Sequence, residues 1–197
     1  MGSEMCIRDR LGAVLHVGLA KGHRGNPSAS LHVHKLYGTP VLMSGLASLV
    51  LNNAEIKIIE HHFKATLQQV QRLYPTTPRP VIYFLAGSLP GSAHLHLRQL
   101  TLFGMICRLP GSILHKYAKY IFSSPSIKNK SWFQKIRDIC LLYKLPHPLH
   151  LMNSALPKPK FKKIVQSRVF DYWEITLRKE ASPLLSLIHI SEPTRPL

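Results

Sequence analysis

NAEIKIIEHHFKATLQQVQRLY, residues 53–74, decides the fold class. Its apolar residues Ile56, Ile59, Phe63, Leu67, Val70 and Tyr74 recur at spacings of three and four, which places them on one face of a helix. Asn53 suits the N-cap, Lys57, Lys64, Gln68 and Gln71 fall on the other faces, and Pro75 and Pro78 end the run. A helix of about 20 residues with one apolar face must bury that face against another element.

The flanking sequence supplies more helices. Asn26-Pro27, a cap followed by proline, starts one that passes Leu31, Val33 and Leu36 before Pro40 kinks or breaks it. Val81 to Leu85 reads as a short extended segment leading into the turn Gly87-Ser88-Leu89-Pro90-Gly91. Ser92 can cap a third helix running to about Arg108, which Pro110-Gly111 closes, and Ser112 a short one ending near Phe122. Ser123 to Lys130 reads as an exposed basic loop around Pro125. Ser131 can cap a helix from Trp132 to about Lys144 with Phe133, Ile136, Cys140 and Tyr143 facing inward, and Leu145-Pro146-His147-Pro148-Leu149 stops it. A final helix from about Pro159 to Lys179 offers Phe161, Ile164, Val165, Tyr172 and Ile175 for burial. The expected class is all-α, an irregular array of about five to six helices, incompletely packed where the chain is a fragment.

The two ends are related at the codon level. Glu4-Met5-Cys6-Ile7-Arg8-Asp9-Arg10 can be encoded by GAG ATG TGT ATA AGA GAC AG, whose reverse complement translates as Leu185-Ser186-Leu187-Ile188-His189-Ile190 and opens Ser191. Residues 1–10 and 185–197 therefore read as translated sequencing-adapter sequence and are set aside when the fold is considered. They carry three charges of each sign, so the middle keeps the whole net charge of +17. That middle divides at the glycine turn into a helical region, 11–91, and a basic helical region, 92–184.

Apolar residues make up 45% of the chain, enough for a packed core. The longest apolar run, Val41 to Leu51, is too short to span a bilayer, and no membrane partner is expected. A large positive charge creates a field that attracts polyanions, nucleic acid first among them; the same lysines can also be a merely solvated surface. Cys107 and Cys140 have neither disulfide-framework nor zinc-site spacing, which suits an intracellular location, cytoplasm or nucleus.

Residues for catalysis are scarce. Between Leu11 and Leu184 the acids are Glu55, Glu60, Asp138, Asp171, Glu174 and Glu180, set on expected helices where surface ion pairs are the ordinary role. Two-metal phosphoryl chemistry needs converging carboxylates, and nothing here provides them. The histidine pairs His32 and His34, His61 and His62, His94 and His96, and His147 and His150 have no acid or cysteine completing a ligand set, so no metal site is expected. His147 suits a capping or surface role. Cys107 and Cys140 lie on apolar helix faces, as small buried hydrophobes. The glycine turn lacks the lysine of a phosphate loop, although its amides could face a phosphate at a helix N-terminus. No catalytic residue is assigned.

The positive signal is basic and aromatic interleaving. Lys116, Tyr117, Lys119, Tyr120, Lys128, Lys130, Trp132, Lys135 and Arg137 form one cluster, and Lys158, Lys160, Lys162, Lys163 and Arg168, beside Tyr172 and Trp173, a second. Lysines contact phosphates without reading sequence and aromatics stack on unpaired bases. For Trp132 and Trp173, a place in the core is the competing role.

Several short motifs occur in order: Phe84-Leu85-Ala86-Gly87-Ser88-Leu89-Pro90-Gly91, His96-Leu97-Arg98-Gln99-Leu100, Leu102-Phe103-Gly104-Met105-Ile106, Lys130-Ser131-Trp132-Phe133, Ile136-Arg137-Asp138, Leu145-Pro146-His147-Pro148-Leu149 and Asp171-Tyr172-Trp173. In them the chain resembles the C-terminal region of reverse transcriptases from non-LTR (LINE-like) retrotransposons, over most of Pro27 to Pro183. The resemblance implies a thumb-like helical region that follows the polymerase palm and holds template RNA and nascent DNA, with the helix around Arg98 and the two basic clusters as weakly sequence-selective contacts. The palm, with its paired aspartates and Mg2+, is a missing neighbour and an expected partner; the Tyr-x-Asp-Asp turn is not in this sequence, so neither cofactor nor polymerase activity is carried over. Leu11 to Gly25 departs from the family's regularity. The alternatives are a helical protein-interaction module and a translated fragment without function.

Overall fold

The computed structural model describes residues 27–123 and 131–190, the stretch 184–190 by its backbone alone. Regular structure among the described residues is entirely helical, as the periodicity predicts. The expected helix start at Asn26, the stretch Leu11 to Gly25, residues 1–10 and 191–197, and all of the expected Ser123 to Lys130 loop except Ser123, which is helical, lie outside the described residues.

The described residues open with α1 (Pro27–Val33) and α2 (Thr39–Met43), joined by a π-helical turn, His34–Gly38. Pro40 does not break this path. The amide of Thr39 reaches back to the carbonyl of His34, and that widened turn makes room for a ring that would otherwise collide with the preceding turn.

The helix that opens the sequence reading is α3 (Asn53–Gln71), but its cap is Asn52 rather than Asn53. Asn52 Oδ1 accepts from the amide of Glu55 at 2.9 Å and Glu55 Oε2 accepts from the amide of Asn52 at 2.8 Å, a reciprocal capping box. Ile59, Phe63, Leu67 and Val70 are buried as expected. Tyr74 is not: α3 ends at Arg72, whose φ of 55° turns the chain away and leaves Tyr74 81% exposed.

Where an extended segment was expected, Arg79–Ala86 forms α4. Pro80 fits the first helical turn, Gly87 closes the helix at φ 51°, and Ile82, Tyr83 and Ala86 bury one face. A short apolar run fits strand and helix patterns alike, and here the punctuating Pro and Gly settle it. α5 (Gly91–Cys107) is the central helix, buried over most of its circumference. Ser92 lies inside its first turn and does not cap it by its side chain; its amide donates instead to Glu60 Oε1 at 2.6 Å.

α6 (Ile113–Ser123) and α7 (Trp132–Leu142) start on the expected caps, with Ser112 Oγ accepting from His115 N and Ser131 Oγ from Gln134 N. α7 ends at Leu142, past which Lys144 turns left-handed at φ 52° and the amide of Leu145 donates to the carbonyl of Cys140. The Leu145–Leu149 stretch, expected to stop the helix, instead leads into a short helix not anticipated, α8 (Pro148–Asn153), with His147 Nδ1 accepting from the amide of Leu149. α9 (Lys158–Ile190) buries Phe161, Val165, Val169 and Leu177; Ile175, expected inside, is 64% exposed.

Two apolar clusters result. One gathers Leu42, Ile59, Phe63, Leu67, Ile82, Tyr83 and Leu95 with Leu177. The other gathers Leu100, Phe103, Phe122, Phe133, Ile136, Tyr143, Phe161 and Val165. α5 and α9 contribute to both. They approach closely at Gly104, where an added Cβ would stand 2.5 Å from Phe161 Cε1.

Candidate nucleic-acid interface

The acids are committed to the fold. Glu55 serves the capping box. Glu60 reaches from α3 to the N-terminus of α5 and also accepts from the hydroxyl of Tyr83 at 3.1 Å. An anion at that helix N-terminus, which the glycine turn suggested, is thus the chain's own carboxylate. Glu180 pairs with Arg79 at 2.9 Å and Glu174 with Arg178 at 2.8 Å. Asp138 accepts from Gln134, and Asp171 from Ser167. Among the described residues the ion pairs run from Arg79 to Glu60 and Glu180 and from Arg178 to Glu174. None of the cations expected at the interface takes part in them.

The described ones are distributed over four helices, Arg98 on α5 and the rest on α6, α7 and α9. Lys116 and Lys119 are exposed on α6 beside Tyr117 and Tyr120, which are 53% and 64% exposed. Lys135 and Arg137 are half-buried on α7, and Lys128 and Lys130 lie outside the described residues. Lys158, Lys160, Lys162, Lys163 and Arg168 are all exposed on α9. They do not share one face: Lys158 and Lys162, four apart, flank one side of the buried stripe, whereas Lys160 and Lys163 point the other way.

One group is brought together. Arg98, exposed on α5, and Lys162 line a cleft of about 360 Å³ with Lys35 of the π turn. Lys35 is the cation the sequence did not single out. Its Nζ donates to the carbonyl of Gly87 at 3.0 Å, across 52 residues of chain, a relation with no local pattern to reveal it.

The tryptophans are structural. Trp132 Nε1 donates to the carbonyl of Ala47 at 2.7 Å, and Trp173 Nε1 to the hydroxyl of Tyr143 at 3.0 Å. Both are half-buried, Trp132 edge-on to Phe133 and Trp173 edge-on to Tyr172, so each ring is anchored in the fold through its N–H and its aromatic neighbour. Among the basic clusters the open aromatic faces are those of Tyr117 and Tyr120.

Burial also shifts the titration of two thiols and three imidazoles. It pushes the thiols of Cys107 and Cys140 up to about 12, far from the thiolate form. The imidazoles of His34, His94 and His96 fall to about 4, each mainly by burial. His94 is further depressed by His34 and Arg98, and His96 by Lys135. Among the described residues no three His, Cys, Asp or Glu side chains converge on a point where a metal could sit. No described helix is long and apolar enough to cross a membrane.

No protein-family model, curated protein or solved structure matches the chain.

Proposed function

We propose that the chain is a thumb-like region related to the post-palm part of non-LTR retrotransposon reverse transcriptases, one that grips template RNA and nascent DNA without a reaction of its own. The observation that carries this reading is the imbalance of charge partners: acids are engaged in caps, hydrogen bonds and ion pairs within the fold, while Arg98, Lys116, Lys119, Lys158, Lys160, Lys162, Lys163 and Arg168 stand exposed without ion pairs among the described residues. Exposed cations of this kind release counterions from a phosphate backbone and confer little sequence preference.

The test is affinity for single-stranded RNA as a function of salt. A slope of about −0.7 in log affinity per log salt is expected for each phosphate neutralised. Replacing Lys160, Lys162 and Lys163 by glutamine lowers both the affinity and the slope. A flat salt response, or no binding in dilute buffer, overturns the reading.

A second surface favours a protein neighbour. Phe84 and Phe170, 47% and 53% exposed, line a cleft of about 220 Å³ with Leu89 and Leu177, and Leu85 is 61% exposed on the same short helix. A polymerase palm preceding this region would cover such a face. In the competing reading, a protein-interaction module, this surface is the functional one, and a protein partner binds while RNA does not.

A further inference from the structure

We propose that the cleft between the π turn, α5 and α9 is a site for a phosphate monoester, the terminal phosphate of a nucleic-acid strand or of a free nucleotide. The strand terminus as source rests on the nucleic-acid reading above; the pocket itself does not.

Cations from three separate elements, Lys35, Arg98 and Lys162, line this one concavity, and no carboxylate lines it. Its volume of about 360 Å³ falls within the range of small-ligand clefts, about 300–1,000 Å³. An internal phosphodiester carries a single negative charge, whereas a phosphate monoester carries about −1.5 to −2 near neutral pH. Three converging cations match the second better than the first.

The donors can be sorted by what they already do. The hydroxyls of Thr39 and Thr101 also line the cleft but donate to the carbonyls of His34 and Leu97, so they are spent. Lys35 uses one N–H on the Gly87 carbonyl, which fixes the ammonium in place and leaves two donors. The Arg98 guanidinium, the Lys162 ammonium and the Gln166 amide have no hydrogen-bond or ion-pair partner among the described residues. Lys162 and Gln166, four residues apart, present their donors side by side along α9. The neutral ring of His94 completes the wall; the nearby charges of Arg98 and Lys35 are among the causes that keep it unprotonated, a sign of the positive potential there.

The experiment compares one short single-stranded RNA with a 5′-phosphate and with a 5′-hydroxyl, binding the full chain at equal salt, together with direct calorimetry of AMP. The phosphorylated strand should bind about tenfold tighter, the equivalent of one charge-assisted hydrogen bond. Arg98→Gln or Lys162→Gln should remove that preference, and Lys160→Gln, on the opposite face of α9, should lower both affinities alike. Heat from AMP that disappears in Arg98→Gln assigns the site to a free nucleotide; preference among strands without AMP binding assigns it to a strand terminus. Equal binding of the two strands with no AMP binding overturns the pocket while leaving electrostatic RNA binding intact. AMP binding without affinity for either strand removes the nucleic-acid reading and keeps the pocket.

Discussion

His96 Nδ1 lies 2.8 Å from the hydroxyl of Tyr143 in the buried centre of the array. Trp173 Nε1–H, which can only donate, reaches the same hydroxyl oxygen at 3.0 Å. One oxygen thus ties together α5, the end of α7 and α9. Tyr143→Phe leaves the Trp173 N–H and His96 Nδ1 without a partner, so unfolding free energy should fall by about 1–3 kcal/mol. Urea unfolding with an unchanged slope reads this directly; a midpoint equal to the parent's would refute the linkage.

Acid should weaken the fold in a defined window. His34, His94 and His96 have folded pKa values of about 4 against a reference of 6.5, so between those values the unfolded chain binds more protons than the folded one. Stability is then fully present above about pH 6.5 and declines as pH falls towards about 4, by an amount on the order of a few kcal/mol. Denaturant midpoints at neutral pH and at about pH 4.5 test the sign. Greater stability at the acidic point would contradict the burial of neutral rings.

At Gly104 two effects oppose one another. Alanine gains about 1 kcal/mol in helix propensity, but its methyl would stand 2.5 and 2.7 Å from two atoms of the Phe161 ring, which is buried and cannot swing clear. Overpacking of this kind costs about 1–3 kcal/mol. Gly104→Ala is therefore expected to lower the melting temperature, and adding Phe161→Leu to recover part of the loss. A more stable single variant would show that α5 and α9 do not meet there.

Glu60 joins three elements. Glu60→Ala leaves the buried Tyr83 hydroxyl and the Ser92 amide without their acceptor, with an expected loss of about 1–3 kcal/mol. Glu60→Gln keeps an acceptor oxygen and should fall between parent and alanine in thermal unfolding. Identical melting of all three proteins would dismiss the interhelical cap.

The parts of this fold legible from sequence are those with short-range causes. Ser112 and Ser131 were readable as caps because each serine accepts from an amide three residues on. The inward face of α7 followed from spacing alone, and Phe133, Ile136, Cys140 and Tyr143 are all buried. α4 was not legible, since an eight-residue apolar segment carries too few turns to separate the helical period from the extended one. Tyr74 and Ile175 kept the period of their neighbours but lost a surface to pack on, one through the left-handed residue Arg72 and the other through the placement of α9. At the candidate site, Arg98 and Lys162 were picked out by composition and by resemblance. Lys35 depends on a turn whose geometry no local rule anticipates, and the fate of Trp132 rests on a carbonyl 85 residues away.

The pairing of Arg79 with Glu180 spans 101 residues, and α9 seals both apolar clusters. Translation proceeds from the N-terminus, so α3, α4 and α5 leave the ribosome well before their cover does, with the slot for Leu177 open to solvent. Long-range closure of this kind is slow compared with local helix formation. During that interval the nascent chain exposes an apolar seam that only its last helix can cover, and such exposed surface favours association with other chains.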